Sequence, residues 1–586
     1  MISCSIRLAT ILRAAALPVL TSLVPGALCA APVVWEGDGV PAPQPVQTDV
    51  TLGVYIFPGW YRDTGKGDYP YRTHDEDSEW RAVAKKPAPR PLLGFYDDSL
   101  PEVNDWHIKW ALEHGVSFFC FDWYWNAGEH RLLRTLEDGF LKSRYCEMMQ
   151  FCIHWCNHGL DWKDRPGGAP TDEDFQAPAL VEMIQYMADK YFSRPNYLTV
   201  DGRPVLVIWD TARVITANGG PEGFRKAIEA MNRALNARGL KDVYLIAMGQ
   251  SGRHEEAGFD AFTGYGYYGT DFDSEYEWRG GYSIPYEESV KHYETTWKSI
   301  TSRPGLPYLL PIGTNWDSRP RHGEHAAVIR DKTPEKFEQS CRASLNYIDG
   351  RLNMAIIEAW NEWGEGSFLE PDKQWGFAFL DAVRATFSPA PPEHTDYVPG
   401  PERIASYSVL RGEELRQAVE MEKQPYPDPP LSLRKVTWQV DQPLPEGPIL
   451  RGWEFADGTV EGWVPYQVKP YEVIDGVLTT EATGDDPQLI VDDAGVAIED
   501  LRCLALRLRV PEGVSSCQLF YTTTAEPRMT ADKCMTFPLV PDGQWHTYQV
   551  SREPEGKWSG TLKIVRLDMG RAGDKIELDW VRLVGK

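Results

Sequence analysis

A chain of 586 residues is longer than one hydrophobic core usually serves, so two or more domains are expected. With 42% apolar and 12% aromatic residues it has the composition of a folded protein. Its formal net charge of −25 repels phosphate backbones and excludes nucleic acid as a partner.

The N-terminus reads as a secretion signal over residues 1–30. Arg7 and Arg13 precede an apolar run from Ala14 to Val24, and the small residues Ala27, Cys29, Ala30 and Ala31 follow for cleavage near Ala30. That run is too short to span a bilayer, and no later stretch approaches the roughly 20 apolar residues a membrane helix needs. The expectation is an export product, secreted or periplasmic, acting as a soluble monomer without stable membrane insertion. Eight Cys follow the signal (Cys120, Cys146, Cys152, Cys156, Cys341, Cys503, Cys517, Cys534), scattered in no disulfide framework; room remains for one or two bridges.

After a Pro-rich leader at 31–48, residues 49–387 alternate short apolar runs with longer helix-like segments, the signature of repeated β/α units. The runs are Thr51 to Phe57, Ser117 to Trp123, Gln150 to Trp155, Pro204 to Trp209, Val243 to Met248, Ala261 to Tyr265, Tyr308 to Ile312 and Met354 to Trp360. Helices are predicted over Pro101 to His114, Arg131 to Lys142, Asp174 to Tyr191, Pro221 to Arg238 and Pro334 to Ile348. Eight such repeats predict an α/β fold, a (β/α)8 TIM barrel, with its chemistry at the ends of the strands. Residues 388–448, rich in Pro and charge, read as a linker. Residues 449–586 carry alternating strands at Leu504 to Val510, Cys517 to Thr522, Trp545 to Val550 and Ile576 to Leu583, which predict a C-terminal β-sandwich.

Polar residues sit where the barrel reading demands them. Asp122, His154 and Asn157, Asp210, Gln250, Tyr265 and Tyr267, Asn315 and Asp317, and Asn361 with Glu362 all fall at strand ends, beside many of the 22 Trp. The best candidates for chemistry are Glu362 and Glu365 in Trp360-Asn361-Glu362-Trp363-Gly364-Glu365-Gly366. Glycosidic bonds are broken by two carboxyl groups, one protonated and one ionised. A helical turn after the eighth strand would put positions i and i+3 on one face, where neighbouring Trp and like charge separate their proton affinities. Glu358, inside the strand, is expected to be a buried partner for a barrel cation, with a third functional acid as the alternative. Cys152, His154 and Cys156 alternate along one strand and read as interior packing. His322 and His325 read as loop residues. The chain holds no P-loop, dinucleotide fingerprint or GxSxG elbow, so no catalytic cofactor is expected.

The segments Val54 to Tyr61 (with Tyr55 and Trp60), Phe119 to Trp125 (with Asp122 and Tyr124), Val200 to Val207 and Ala359 to Leu380 resemble the glycoside hydrolase family 99-like, or WbsX-type, domains. The resemblance implies a retaining glycosidase acting on a poly- or oligosaccharide, with α-mannosides among the substrates. Glu362 would deprotonate the sugar 2-hydroxyl, which attacks C1 to form a 1,2-anhydro sugar. Glu365 would be the general acid and then the base that activates water. Tyr55, Trp60, Asp122, Tyr124, His154, Asn157, Asp210, Tyr265, Tyr267, Asn315, Asn361 and Trp363 are the expected substrate contacts. Gly364 stands where the mannosidases of that family have His. The tail resembles jelly-roll carbohydrate-binding modules, and Glu454 and Asp579 are its candidate ligands for a structural calcium. Two alternatives stay open: a WbsX-type glycosyltransferase of polysaccharide synthesis, and a non-catalytic glycan-binding protein.

Overall fold

The computed structural model describes residues 31–62, 78–126, 129–157, 171–249, 252–266, 282–302, 304–323, 326–429, 436–484, 486–492, 494–511, 513–514, 516–529, 533–552 and 558–586. The expected signal segment and Tyr267 lie outside the described residues, as do Gln250 and His325.

Eight strands build the barrel: β1 Thr51–Ile56, β2 Phe118–Asn126, β3 Gln150–Trp155, β4 Arg203–Ile208, β5 Tyr244–Met248, β6 Ala261–Thr263, β7 Leu310–Gly313 and β8 Met354–Glu358. Consecutive strands pair in parallel from β1 to β6, and β7 pairs β8, which returns to β1. The parallel bridge Phe262–Tyr308 closes the ring between β6 and β7. Both faces of each strand are covered, which is why these segments are near-continuous runs of Val, Ile, Leu and Phe rather than alternating ones.

The surrounding helices include α1 Pro101–Glu113, α2 Ala177–Met187, α3 Pro221–Asn236, α4 Tyr286–Thr301, α5 Pro334–Ser344 and α6 Ala378–Phe387. Four of them have Pro in the first turn, where its missing N–H costs nothing. The helix expected over Arg131 to Lys142 is instead a π turn, Thr135–Gly139, followed by a 3-10 turn, Phe140–Lys142. Gly139 lies between them against Asp98, where a Cβ would come within 2.3 Å of the Asp98 carbonyl oxygen.

The leader and the linker both carry regular structure. Val33–Trp35 of the leader pairs in parallel with Tyr397–Pro399 of the Pro-rich region. That region continues as α7 Pro401–Tyr407 and α8 Gly412–Glu422, and Tyr407, Val409, Leu410 and Ala418 are buried in the barrel's core cluster. Burial of these apolar side chains, spaced among prolines, is what the composition concealed.

The C-terminal part is a sandwich of two antiparallel sheets. One contains Leu501–Arg509 between His546–Arg552 and Lys575–Gly585; the other contains Thr561–Asp568 between Gln488–Val491 and Ser516–Thr523. Val436–Val440 pairs with His546–Arg552, so strand pairing begins ahead of Ile449. Trp453, Trp463, Leu506, Leu519, Val565 and Leu578 fill the space between the sheets. The eight cysteines are buried, and among the described residues none forms a disulfide. Among the described residues no helix is long and apolar enough to cross a membrane.

Candidate active site

Past β8 the chain does not form the expected helical turn. Asn361–Glu362 pairs antiparallel with Ser367–Phe368, and the Glu365 N–H donates to the Glu362 carbonyl at 3.1 Å, so the two acids lie on a tight hairpin. The hairpin is anchored on three sides. The Asn361 side chain accepts from the Phe57 N–H at 2.9 Å and donates to the Phe57 carbonyl at 3.0 Å, tying it to the end of β1. Trp363 stacks on Phe368 with ring centres 4.0 Å apart and donates its indole N–H to Glu370 at 3.0 Å. The Asp317 N–H donates to the Glu365 carbonyl at 2.5 Å, and the Asn315 amide reaches the Gly366 carbonyl at 3.4 Å.

This closeness explains Gly366. Its φ is +68°, and a Cβ there would lie 2.7 Å from the Asp317 Cβ and 2.9 Å from the Asp317 backbone nitrogen. Gly366→Ala is expected to lower stability by about 2–4 kcal/mol, from left-handed backbone strain plus overpacking. Urea unfolding followed by tryptophan fluorescence checks this; an unchanged midpoint would mean the turn is loosely held.

Arg321, from the short helical turn Arg319–His322 beyond β7, organises the acids. One of its terminal nitrogens donates to Glu362 at 3.0 Å and the other to Glu365. It also reaches both oxygens of Glu79, at 2.5 and 3.0 Å. One planar guanidinium thus serves three carboxylates. Burial raises the Glu362 carboxyl well above the usual range; Arg321 pulls it back, while Glu365 and Glu79 push it further up. Burial works against charge on Arg321, but Glu362, Glu79 and Glu365 outweigh it and hold the guanidinium charged.

Gly364 belongs to the same arrangement. A Cβ at this position would come within 2.6 Å of the Arg321 Nε and 2.7 Å of the Glu79 carboxylate. The Arg321–Glu79 pair therefore occupies the space that any side chain at 364 would take.

Beneath the hairpin lies a buried polar layer. Glu358 is 0% exposed, burial pushes its carboxyl well up and the Ser367 hydroxyl opposes that, and among the described residues no cation is paired with it, so the expected cation partner is not found there. Asp122 on β2 and His154 on β3 meet at 2.8 Å, with the Cys156 thiol 3.7 Å from the same His154 nitrogen. Tyr55 packs 5.2 Å from His154 and 5.0 Å from Tyr265. Burial first, and then the nearby charge of Asp122 and Glu362, raise the Tyr124 and Tyr265 phenols well above their ordinary value, so both remain hydrogen-bond donors.

Other expected contacts have different surroundings. Asp210 caps the helix Thr211–Ala217 by accepting from the Arg213 N–H at 2.9 Å, and Asn157 holds the Asp210 backbone through bonds of 2.6 and 3.0 Å. Trp60 is fully buried 4.2 Å from Trp80, and Asn361 and Trp363 are engaged as described. In the sandwich, Glu454 pairs with Arg582 at 2.7 and 2.8 Å and Asp579 with Arg507 at 2.5 Å. Each expected calcium ligand thus faces an arginine that already supplies the positive charge. Arg321 and Glu79 were missed in the sequence because nothing local marks residues 41 to 242 positions apart as neighbours.

The family model described as "Glycosyltransferase WbsX" matches residues 80–383. The uncharacterized protein WxcX of Xanthomonas campestris pv. campestris is 26% identical over 338 residues, covering 54% of this chain and 47% of that protein. The chain thus spans about half the length of the curated relatives it matches. Among solved structures, a GH99 endo-α-mannosidase from Bacteroides thetaiotaomicron matches at 16% identity and a TM-score of 0.39, covering 57% of this chain and 95% of that one. A family 11 carbohydrate-binding module from Clostridium thermocellum matches at 12% identity and a TM-score of 0.19, over 24% of this chain and 95% of that one.

Proposed function

The chain belongs to the WbsX family, and from that premise we propose that it is an exported glycoside hydrolase, endo-acting on a poly- or oligosaccharide with retention of configuration. The observation that carries the reading is the carboxylate pair Glu362 and Glu365, presented by a hairpin past β8 and shared by one guanidinium. Two carboxyl groups with different proton affinities are the minimum equipment for glycosidic cleavage. Burial raises the proton affinity of Glu362, which suits a group that must take a proton, and the Arg321 guanidinium beside it opposes that rise.

The proposed reaction has two steps. Glu362 takes the proton of the 2-hydroxyl as that oxygen attacks C1, while Glu365 gives its proton to the departing oxygen. Glu365 then removes a proton from water as the water attacks C1, the bond from C1 to the 2-oxygen breaks, and Glu362 returns its proton to the 2-oxygen. Tyr124 and Tyr265, whose phenols keep their protons, are the proposed hydrogen-bond donors to sugar oxygens. α-Mannosides and related sugars are the first substrates to test.

A second reading, glycosyl transfer, is favoured by the description of the family model. Incubating the full chain with a panel of polysaccharides, with and without nucleotide-sugars, separates the two. Release of reducing ends with water as the only acceptor supports hydrolysis; product formation only when a nucleotide-sugar is present would replace it with transfer.

A further inference from the structure

We infer that His114, Asp381, His394 and Asp396 form a structural site for a tetrahedral divalent transition metal, with zinc as its natural occupant. This inference is independent of the reaction proposed above. The four side chains come from the end of α1, the first turn of α6 and the stretch that follows α6. Their ligand atoms are the Nε2 of each histidine and one Oδ1 of each aspartate. His114 Nε2 lies 3.1 Å from His394 Nε2, 3.5 Å from Asp381 and 3.4 Å from Asp396. His394 Nε2 lies 3.2 Å from Asp381 and 3.3 Å from Asp396. A tetrahedral ion with bonds of about 2.0–2.1 Å sets its ligands about 3.3–3.4 Å apart, so these edges are those of a zinc polyhedron.

The hydrogen bonds behind the cluster fix which atoms face inward. His114 Nδ1 is 2.7 Å from the Trp110 carbonyl and His394 Nδ1 is 2.6 Å from the Pro392 carbonyl. A carbonyl only accepts, so each Nδ1 carries a proton and, in a neutral ring, each Nε2 presents its lone pair. Two nitrogen lone pairs then face each other and two carboxylate oxygens, an arrangement that a central cation relieves. Backbone carbonyls that orient ligating histidines in this way are the usual outer support of zinc sites. His114 is 0% exposed, and Asp396, with its side chain 9% exposed, turns inward an oxygen that meets no hydrogen-bond criterion among the described residues. Four protein ligands leave no open position, so the ion would be structural. It would join α1 to α6 and, through the Asp396 carbonyl that accepts from the Val33 N–H at 2.7 Å, to the N-terminal strand. The competing occupant is a proton on His394, which Asp381 and Asp396 hold up to about 10.

The test uses the full chain, stripped with a chelator and then given zinc. The expected result is uptake of about one zinc per chain, a Tm raised by at least about 5 °C, and, with Co(II) in place of zinc, the intense visible absorption of a tetrahedral centre. His394→Ala and Asp396→Asn should take up close to none, whereas Cys156→Ser, in the cluster at the end of β3, should take up as much as the wild type. Failure of the stripped wild type to bind zinc with an unchanged Tm, an octahedral cobalt spectrum, or zinc retained by His394→Ala would each overturn the inference. The wild-type arms stand without the variants if those fail to fold.

Discussion

Glu362→Gln and Glu365→Gln are each expected to lower kcat by about 10²–10⁴-fold while the protein stays folded. The fold should survive because Arg321 keeps two of its three carboxylate partners in either variant. The two losses should differ in kind. An aryl glycoside with an acidic leaving group needs no protonation of the departing oxygen, so it should restore the first step in Glu365→Gln. It should not do so in Glu362→Gln, where the 2-hydroxyl still lacks its base. Rates on aryl glycosides of graded leaving-group pKa measure this. Equal loss in both variants across the series would contradict the assigned roles.

Arg321→Gln is expected to move the acid limb of the pH profile of kcat/KM to higher pH by about 1–3 units, the usual effect of one adjacent arginine on a carboxyl group. The sign follows from the site. Burial already raises the Glu362 carboxyl, Arg321 opposes that, and Glu365 and Glu79 would act unopposed once the arginine is gone. The proposed base acts only when ionised, so activity would begin at higher pH. Stability responds in the same direction. A carboxyl group raised by folding adds stability below its unfolded pKa, and that stability is lost as pH rises through the folded value. The variant should therefore lose more at pH 8 than at pH 5. Arg321 is 22% exposed, so solvent screening reduces the loss at pH 8 from the several kcal/mol of a fully buried pair to about 1–3 kcal/mol. Urea unfolding at the two pH values checks it, and equal losses would mean that Arg321 does not govern the charge of Glu362.

Much of the barrel was legible because strands buried on both faces must be apolar along their whole length. The predicted limits of β3 and β5 differ from the observed ones by at most one residue. α4 was not, because Tyr286, Tyr293, Trp297 and Ile300 are separated by polar residues that hide the apolar stripe. Glu362 and Glu365 were legible as a contiguous motif. Their hairpin was not, since residues three apart come together in a helical turn and in a tight hairpin alike. What decides between them is Gly366 and its approach to Asp317, which is a tertiary contact. Arg321 and Glu79 were invisible for the same reason. The meaning of Gly364 changed with them: in the motif it is a missing side chain, and in the fold it is the space that the Arg321–Glu79 pair fills. His114, His394 and their aspartates come together because the segment after α6, which its prolines mark as a linker, folds back on α1.

The most direct test of the central claim is the configuration of the first-formed sugar. Proton NMR during the first minutes of cleavage of an oligosaccharide by the wild-type chain should show the reducing-end anomer with the configuration of the bond that was cut. Only later should mutarotation produce the other anomer. An inverted first product would show that Glu362 and Glu365 do not act as the paired base and acid of a two-step reaction, and the account would fail at its centre.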